Sequence, residues 1–137
     1  MIKELVHDPF FLARKSDAAT GEDIDTAYDL LETLKAHQGS CVGMAANMIG
    51  VCKRIIAFDD EGTYRVMFNP EITEKLGPYD TEEACLSLLG GPRPVKRYNV
   101  IKVKWHNPGE FPQTGVFTGF TAQIIQHEVD HCNGILI

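Results

Sequence analysis

The run His127-Glu128-Val129-Asp130-His131 restricts this chain more than any other feature, because it acquires a chemical meaning only on a helix. Residues four apart on an α-helix share a face, with about 5–6 Å between Cβ atoms. At that separation two imidazoles converge on one ion. The flanking pattern predicts the helix: over residues 119–132, Phe120, Ile124, Ile125 and Val129 mark an apolar side, and Asn133-Gly134 ends it. Glu128 lies beside the first histidine, on the same side of the helix as the site. From there it can take a proton from a water at the ion and pass it to a leaving nitrogen. Two unrelated histidines on a surface helix are the competing explanation, and the helical context favours the metal site.

Two histidines leave a catalytic site one ligand short, since such sites use three protein ligands and an open position. Residues 132–137 contain no His, Asp or Glu, so the third ligand is expected upstream. Cys85, in Glu82-Glu83-Ala84-Cys85-Leu86-Ser87, is the best candidate, with Cys41, Cys52 and Cys132 as alternatives. Cys132 follows His131 directly and so points about 100° off the ligand face. None of the four cysteines forms a Cys-x-x-Cys pair, and no apolar stretch at the start suggests export. Buried thiols or metal ligands are therefore expected rather than disulfides.

The rest of the chain has the make-up of one soluble domain over residues 1–137. It is 44% hydrophobic and 23% charged, with a formal charge of −6, no repeat and no linker. The acidic balance argues against direct nucleic-acid or membrane partners, and a cytoplasmic protein is expected. Residues 22–37 read as a helix, opened by a capping box from Thr20 to Asp23 and carrying Ile24, Ala27, Leu30, Leu31 and Leu34 at helical spacing. Residues 51–58 and 64–68 read as strands around an Asp60-Glu61-Gly62 turn. Asn69-Pro70 is expected to break the second, with 71–75 extending again. Ile101, Val103 and Trp105 alternate with lysines as a half-buried strand does, and a short strand is expected at 135–137. Helix, strands, helix is the order of an α+β fold, with antiparallel or mixed sheets wrapped around the C-terminal helix.

Gly43-Met44-Ala45-Ala46-Asn47-Met48 follows the first helix, and its small residues would let another backbone approach closely. Together with the two segments above it resembles the peptide deformylase family. That family's motifs run Gly-x-Gly-x-Ala-Ala-x-Gln, Glu-Gly-Cys-Leu-Ser and Gln-His-Glu-x-Asp-His. Here they stand as Cys41-Val42-Gly43-Met44-Ala45-Ala46-Asn47-Met48, Glu83-Ala84-Cys85-Leu86-Ser87 and Gln126-His127-Glu128-Val129-Asp130-His131. The similarity extends over nearly the whole chain, including Asp8-Pro9, Asn69-Pro70 and Gly119-Phe120-Thr121-Ala122.

The resemblance implies a metal-dependent hydrolase that removes the N-formyl group from the N-terminal Met of newly made polypeptides and releases formate. Cys85, His127 and His131 would hold one divalent metal ion, Fe(II) in this family, with Zn(II), Ni(II) or Co(II) as other occupants. Glu128 would be base and then acid, and the Leu86 N–H would bind the developing oxyanion. Val42 and Gly43 would pair with the substrate backbone as an added strand. A nascent N-formyl-Met peptide is the implied partner, with a transient ribosome contact compatible with that role. Asp130 is expected to bond a cation such as Arg97.

Cys41 and Ala84 in place of Gly are small departures. Met48 in place of Gln is larger, because a thioether has no donor for the reacting carbonyl. Asn47, one position away, is the substitute the sequence offers as a substrate-binding residue. The alternatives to a working deformylase are a paralogue that binds metal with weak or altered amidase activity, or a domain with a closed structural metal site. A zinc endopeptidase, which would need a third ligand downstream, is more distant.

Overall fold

The computed structural model describes residues 1–88 and 90–137. After a short turn of helix α1 (Pro9–Leu12), the first long helix is α2 (Ile24–Ala36). Thr20 and Asp23 form the anticipated capping box, each side chain bonding the other's backbone N–H, and the chain passes through one 3₁₀ turn before α2 begins. Five strands follow: β1 (Gly43–Ala45), β2 (Ile55–Asp60), β3 (Thr63–Glu83), β4 (Arg93–His106) and β5 (Pro112–Thr118). Helix α3 (Gly119–Cys132) has the bounds its sequence pattern predicts.

The strands form one sheet in chain order, each antiparallel to the next. Strand β2 is buried on both faces because its side chains alternate between two helices. Ile56 and Phe58 join Met67, Ile101 and Val103 against Ala122, Ile125 and Val129 of α3. Ile55 and Ala57 join Phe68 and Met44 against Leu30 and Leu34 of α2. The sheet thus covers α3 with one face and α2 with the other.

Several expectations are corrected. Asn69-Pro70 does not end a strand: β3 continues to Glu83 through a register shift between Phe68 and Glu71. Asn69 sits at φ 55, and its amide pairs with both backbone groups of Ala19, donating to the carbonyl at 2.9 Å and accepting from the N–H at 2.7 Å. The bulge is therefore stabilised by a side chain that acts as a strand partner. Residues 135–137 form no strand. Phe120 is not on the buried side of α3 but 63% exposed.

The end of α3 is held from several directions. The Cys132 carbonyl accepts from Ser16 N and Arg54 Nη1, and the Asp130 carbonyl from Ile135 N. These acceptors belong to the last helical turn, which has no partners within the helix. Gly134, at φ 76, makes the turn beyond it, and an added Cβ there would lie 2.4 Å from the Ala13 carbonyl oxygen. Both the conformation and the space require glycine. Gly134→Ala is accordingly expected to destabilise the chain by about 2 kcal/mol or more, read as a lowered midpoint in denaturant unfolding.

Candidate metal centre and substrate cavity

Cys85 stands just past the end of β3, in the loop that joins β3 to β4, while His127 and His131 are one turn apart on α3. The curl of the long β3–β4 hairpin brings its tip to the helix. One ligand atom from each of the three residues lies within 4.8 Å of the others. Nε2 of His127 is 3.1 Å from Nε2 of His131. Two bonds of 2.0–2.1 Å at a tetrahedral ion would separate such nitrogens by roughly 3.3 Å, so the pair is already at ligand spacing.

A buried carboxylate orients the first of these rings. Glu83 Oε1 is 2.8 Å from His127 Nδ1, leaving Nε2 for the ion. Glu83 also accepts from Arg97 Nε at 3.1 and 3.0 Å, from Arg97 Nη2 at 2.6 Å and from Gln123 Nε2 at 2.9 Å. Arg97 in turn donates from Nη1 to Asp130 at 2.7 Å, the partnership expected for that aspartate. Residues that fix a ligating histidine in this way set its tautomer and raise its basicity. Sequence reasoning gave Glu83 no role. The available signal was an acidic residue two positions before Cys85, at the end of a strand that reaches the helix.

Glu128, 4% exposed, faces a cavity of about 350 Å³ shared with Cys85, His127, Leu86, Val42 and Gly43. Its Oε1 is buried without a hydrogen-bond partner among the described residues. An added Cβ at Gly43 would stand 2.7 Å from Ile124 Cγ2 and 2.9 Å from Glu128 Oε2, so glycine is what lets β1 lie against the acid. Among the described residues, strand β1 pairs with β2 alone, and its other edge carries no strand beside the cavity.

Met48 lines this cavity, but Asn47 does not. The segment is a 3₁₀ turn (Ala46–Ile49) rather than extended, and the two side chains diverge. The Asn47 amide donates instead to the backbone carbonyl of His131 at 3.0 Å. The expectation that Asn47 replaces the missing amide at the substrate is therefore corrected.

The charges are distributed unevenly. Burial pushes Glu128 up to about 7, against the pull of His127. Burial also acts against His127 carrying a proton, but its bonds with Cys85 and Glu83 and the charge of Glu128 outweigh this and lift it to about 10. Burial and the neighbouring His127 press His131 down to about 3. Glu83 stays ionised, at about 2, because its bonds to His127, Arg97 and Gln123 outweigh burial. A thiol, two imidazoles and a partnerless buried acid fit a divalent transition metal with an open position.

The model of the family described as polypeptide deformylase matches residues 4–137. The chain belongs to that family. It is 50% identical over 137 residues to a peptide deformylase of Clostridium beijerinckii, covering 100% of both chains. It is 39% identical to a peptide deformylase of Dictyoglomus thermophilum, covering 100% of this chain and 91% of that one. Among solved structures, a class I type b peptide deformylase from Acinetobacter baumannii aligns with a TM-score of 0.89 at 30% identity, covering 99% of this chain and 97% of that one. The fold is that of peptide deformylases, with an antiparallel sheet and the helix that carries both histidines.

Two outcomes follow for the deformylase site. Glu83→Gln should weaken divalent metal binding about 10–100-fold in competition with a chelator, because His127 loses its charged partner. Glu128 has its ordinary value of 4.5 in the unfolded chain and about 7 when folded, so the folded state holds its proton more tightly. Its contribution to stability is complete below pH 4.5 and is lost as pH rises through 7. The metal-free protein should therefore lose stability relative to Glu128→Gln over that interval, and a difference independent of pH would contradict the assignment.

Proposed function

We propose that this chain removes the N-formyl group from the N-terminal Met of newly made polypeptides and releases formate, with Cys85, His127 and His131 holding one divalent ion. The observation that carries this reading is the convergence of those three ligand atoms within 4.8 Å beside the partnerless buried oxygen of Glu128. Membership of the family over residues 4–137 supports it. When bound, the ion supplies Lewis-acid polarisation of the formyl carbonyl and lowers the pKa of water at the open position.

The protein's own groups perform the remaining steps. The formylated peptide enters as an extended strand along the free edge of β1, with Val42 and Gly43 as its backbone partners. Glu128 takes a proton from the attacking water as the new C–O bond forms at the formyl carbon. It returns a proton to the Met nitrogen as the C–N bond breaks, leaving a free amine and formate. A carboxyl raised to about 7 by burial is suited to both transfers near neutral pH. Leu86 lines the cavity, and its backbone N–H is the proposed donor for the developing oxyanion. Met48 adds no donor there, and the loss of one oxyanion donor typically costs about 10²–10³ in rate. Fe(II) is the proposed native ion, with Zn(II), Ni(II) and Co(II) able to occupy the same donors.

The cytoplasm, where such chains are made, is the proposed location, with a transient contact to the ribosome as a proposed partnership. No helix among the described residues is long and apolar enough to cross a membrane. The test is formate release from an N-formyl-Met peptide by anaerobically prepared protein loaded with Fe(II), beside Glu128→Ala with its metal content confirmed. Turnover is expected in the first and a loss of several orders of magnitude in the second. Absence of turnover with one ion bound per chain would reject the proposal.

A further inference from the structure

The two histidines of the site are fastened in different ways. His127 is oriented through its ring by Glu83, whereas the bond that reaches His131 from the 3₁₀ turn is made to its backbone carbonyl. We propose that Asn47 is a positioning residue for His131: its amide locks the last turn of α3 to the 3₁₀ turn that places Met48 in the cavity wall. This rests on the reading of Cys85, His127 and His131 as metal ligands.

The bond is long-range and dry. Asn47 Nδ2 donates to the His131 carbonyl at 3.0 Å across 84 residues of sequence, with Asn47 1% exposed and His131 fully buried. That carbonyl lies in the final helical turn, where acceptors lack partners within the helix and the backbone frays unless something outside bonds it. Its other donor is Gly134 N at 3.1 Å, from the segment that would fray with it. Among the described residues, Asn47 is the group from another element that bonds this carbonyl. On its own side the 3₁₀ turn is tied down in turn, since the Met48 carbonyl accepts from Val6 N at 2.8 Å.

Packing does not account for an asparagine here. Its neighbours Ala46, Met48 and Ile49 are apolar and buried, and they belong to the core beneath α2. The Asn47 Oδ1 is buried with no hydrogen-bond partner among the described residues, which carries a desolvation cost that an apolar side chain would avoid. What the amide supplies in return is the bond to His131. A ligand must be held to within about half an ångström to keep a metal's geometry. Moving the last turn of α3 would shift His131 Nε2 relative to Cys85 while His127, held by Glu83, stayed in place. The site would open on one side only.

The test uses the full chain with two variants, Asn47→Leu, which keeps the approximate size and removes the donor, and Asn47→Ala. Zn(II) affinity is measured by competition with a chromophoric chelator, and the visible spectrum of the Co(II) form reports ligand geometry and the thiolate bond. Leu30→Ala, in the core contributed by α2 and outside the cavity lining, provides a comparison variant of lowered stability. The expected result is a loss of Zn(II) affinity of about tenfold or more in both Asn47 variants, with altered Co(II) bands, because groups that orient ligands typically act on that scale. Leu30→Ala should retain the native affinity and spectrum despite a lower melting temperature. Native affinity and spectrum in either Asn47 variant would overturn the proposal, as would an equal loss in Leu30→Ala. Variants that fail to fold even with saturating Zn(II) would also overturn it, by making Asn47 a residue of the fold alone. Formate release is not the readout, so failure here leaves the deformylase reading intact, whereas absence of Zn(II) binding by the native chain would strike that reading itself.

Discussion

Glu83 and Arg97 are both nearly removed from solvent, at 9% and 5% exposure, and neither charge could be there without the other. Their bonds close a loop through the molecule: Glu83 ends β3, Arg97 lies in β4, and both reach α3, through His127 and Asp130. Two charges in so dry a place contribute little net stability. Removing one partner, however, strands the other, at a typical cost of about 3–5 kcal/mol. The pair therefore acts as a registration device. It admits one docking of the hairpin on the helix, the one in which Cys85 arrives opposite the two histidines.

That arrangement explains which parts of the molecule were legible in the sequence. Helix α3 was legible to the residue because its apolar spacing, its histidine spacing and its terminal Asn133-Gly134 agree. Helix α2 was legible from its cap and its leucines. The strands were harder. The first half of β4 and all of β5 went unread, because their alternation is masked by exposed charges and by residues such as Pro94, Pro112 and Gly115. Asn69-Pro70 reads locally as a strand breaker, and only the contact with Ala19, fifty residues earlier in the chain, makes it a bulge.

The site shows the same division. His127, His131 and Glu128 stood out because metal chemistry restricts residue type and spacing on a helix, whereas Cys85 was one of four candidate thiols until the resemblance to deformylases singled it out. Glu83 did not stand out, since an acidic residue beside another acidic residue in a strand has no pattern to distinguish it. Asn47 was assigned the wrong direction for a related reason: neighbouring positions in a 3₁₀ turn diverge, and no sequence rule shows that one side chain reaches the cavity while the other reaches a carbonyl 84 residues later.

The hairpin tip carries a further meaning for the life of the molecule. The three proposed metal donors lie on two elements far apart in sequence, so an unfolded chain holds no site, and capture of the ion is linked to folding. The free energy of binding then adds to the bonds of Glu83 and Arg97 that already hold the tip of β3–β4 to α3. A chelator would act here as a local denaturant. Stripped of its ion, the protein would keep the Glu83–Arg97 link between hairpin and helix and lose the added stability that binding confers.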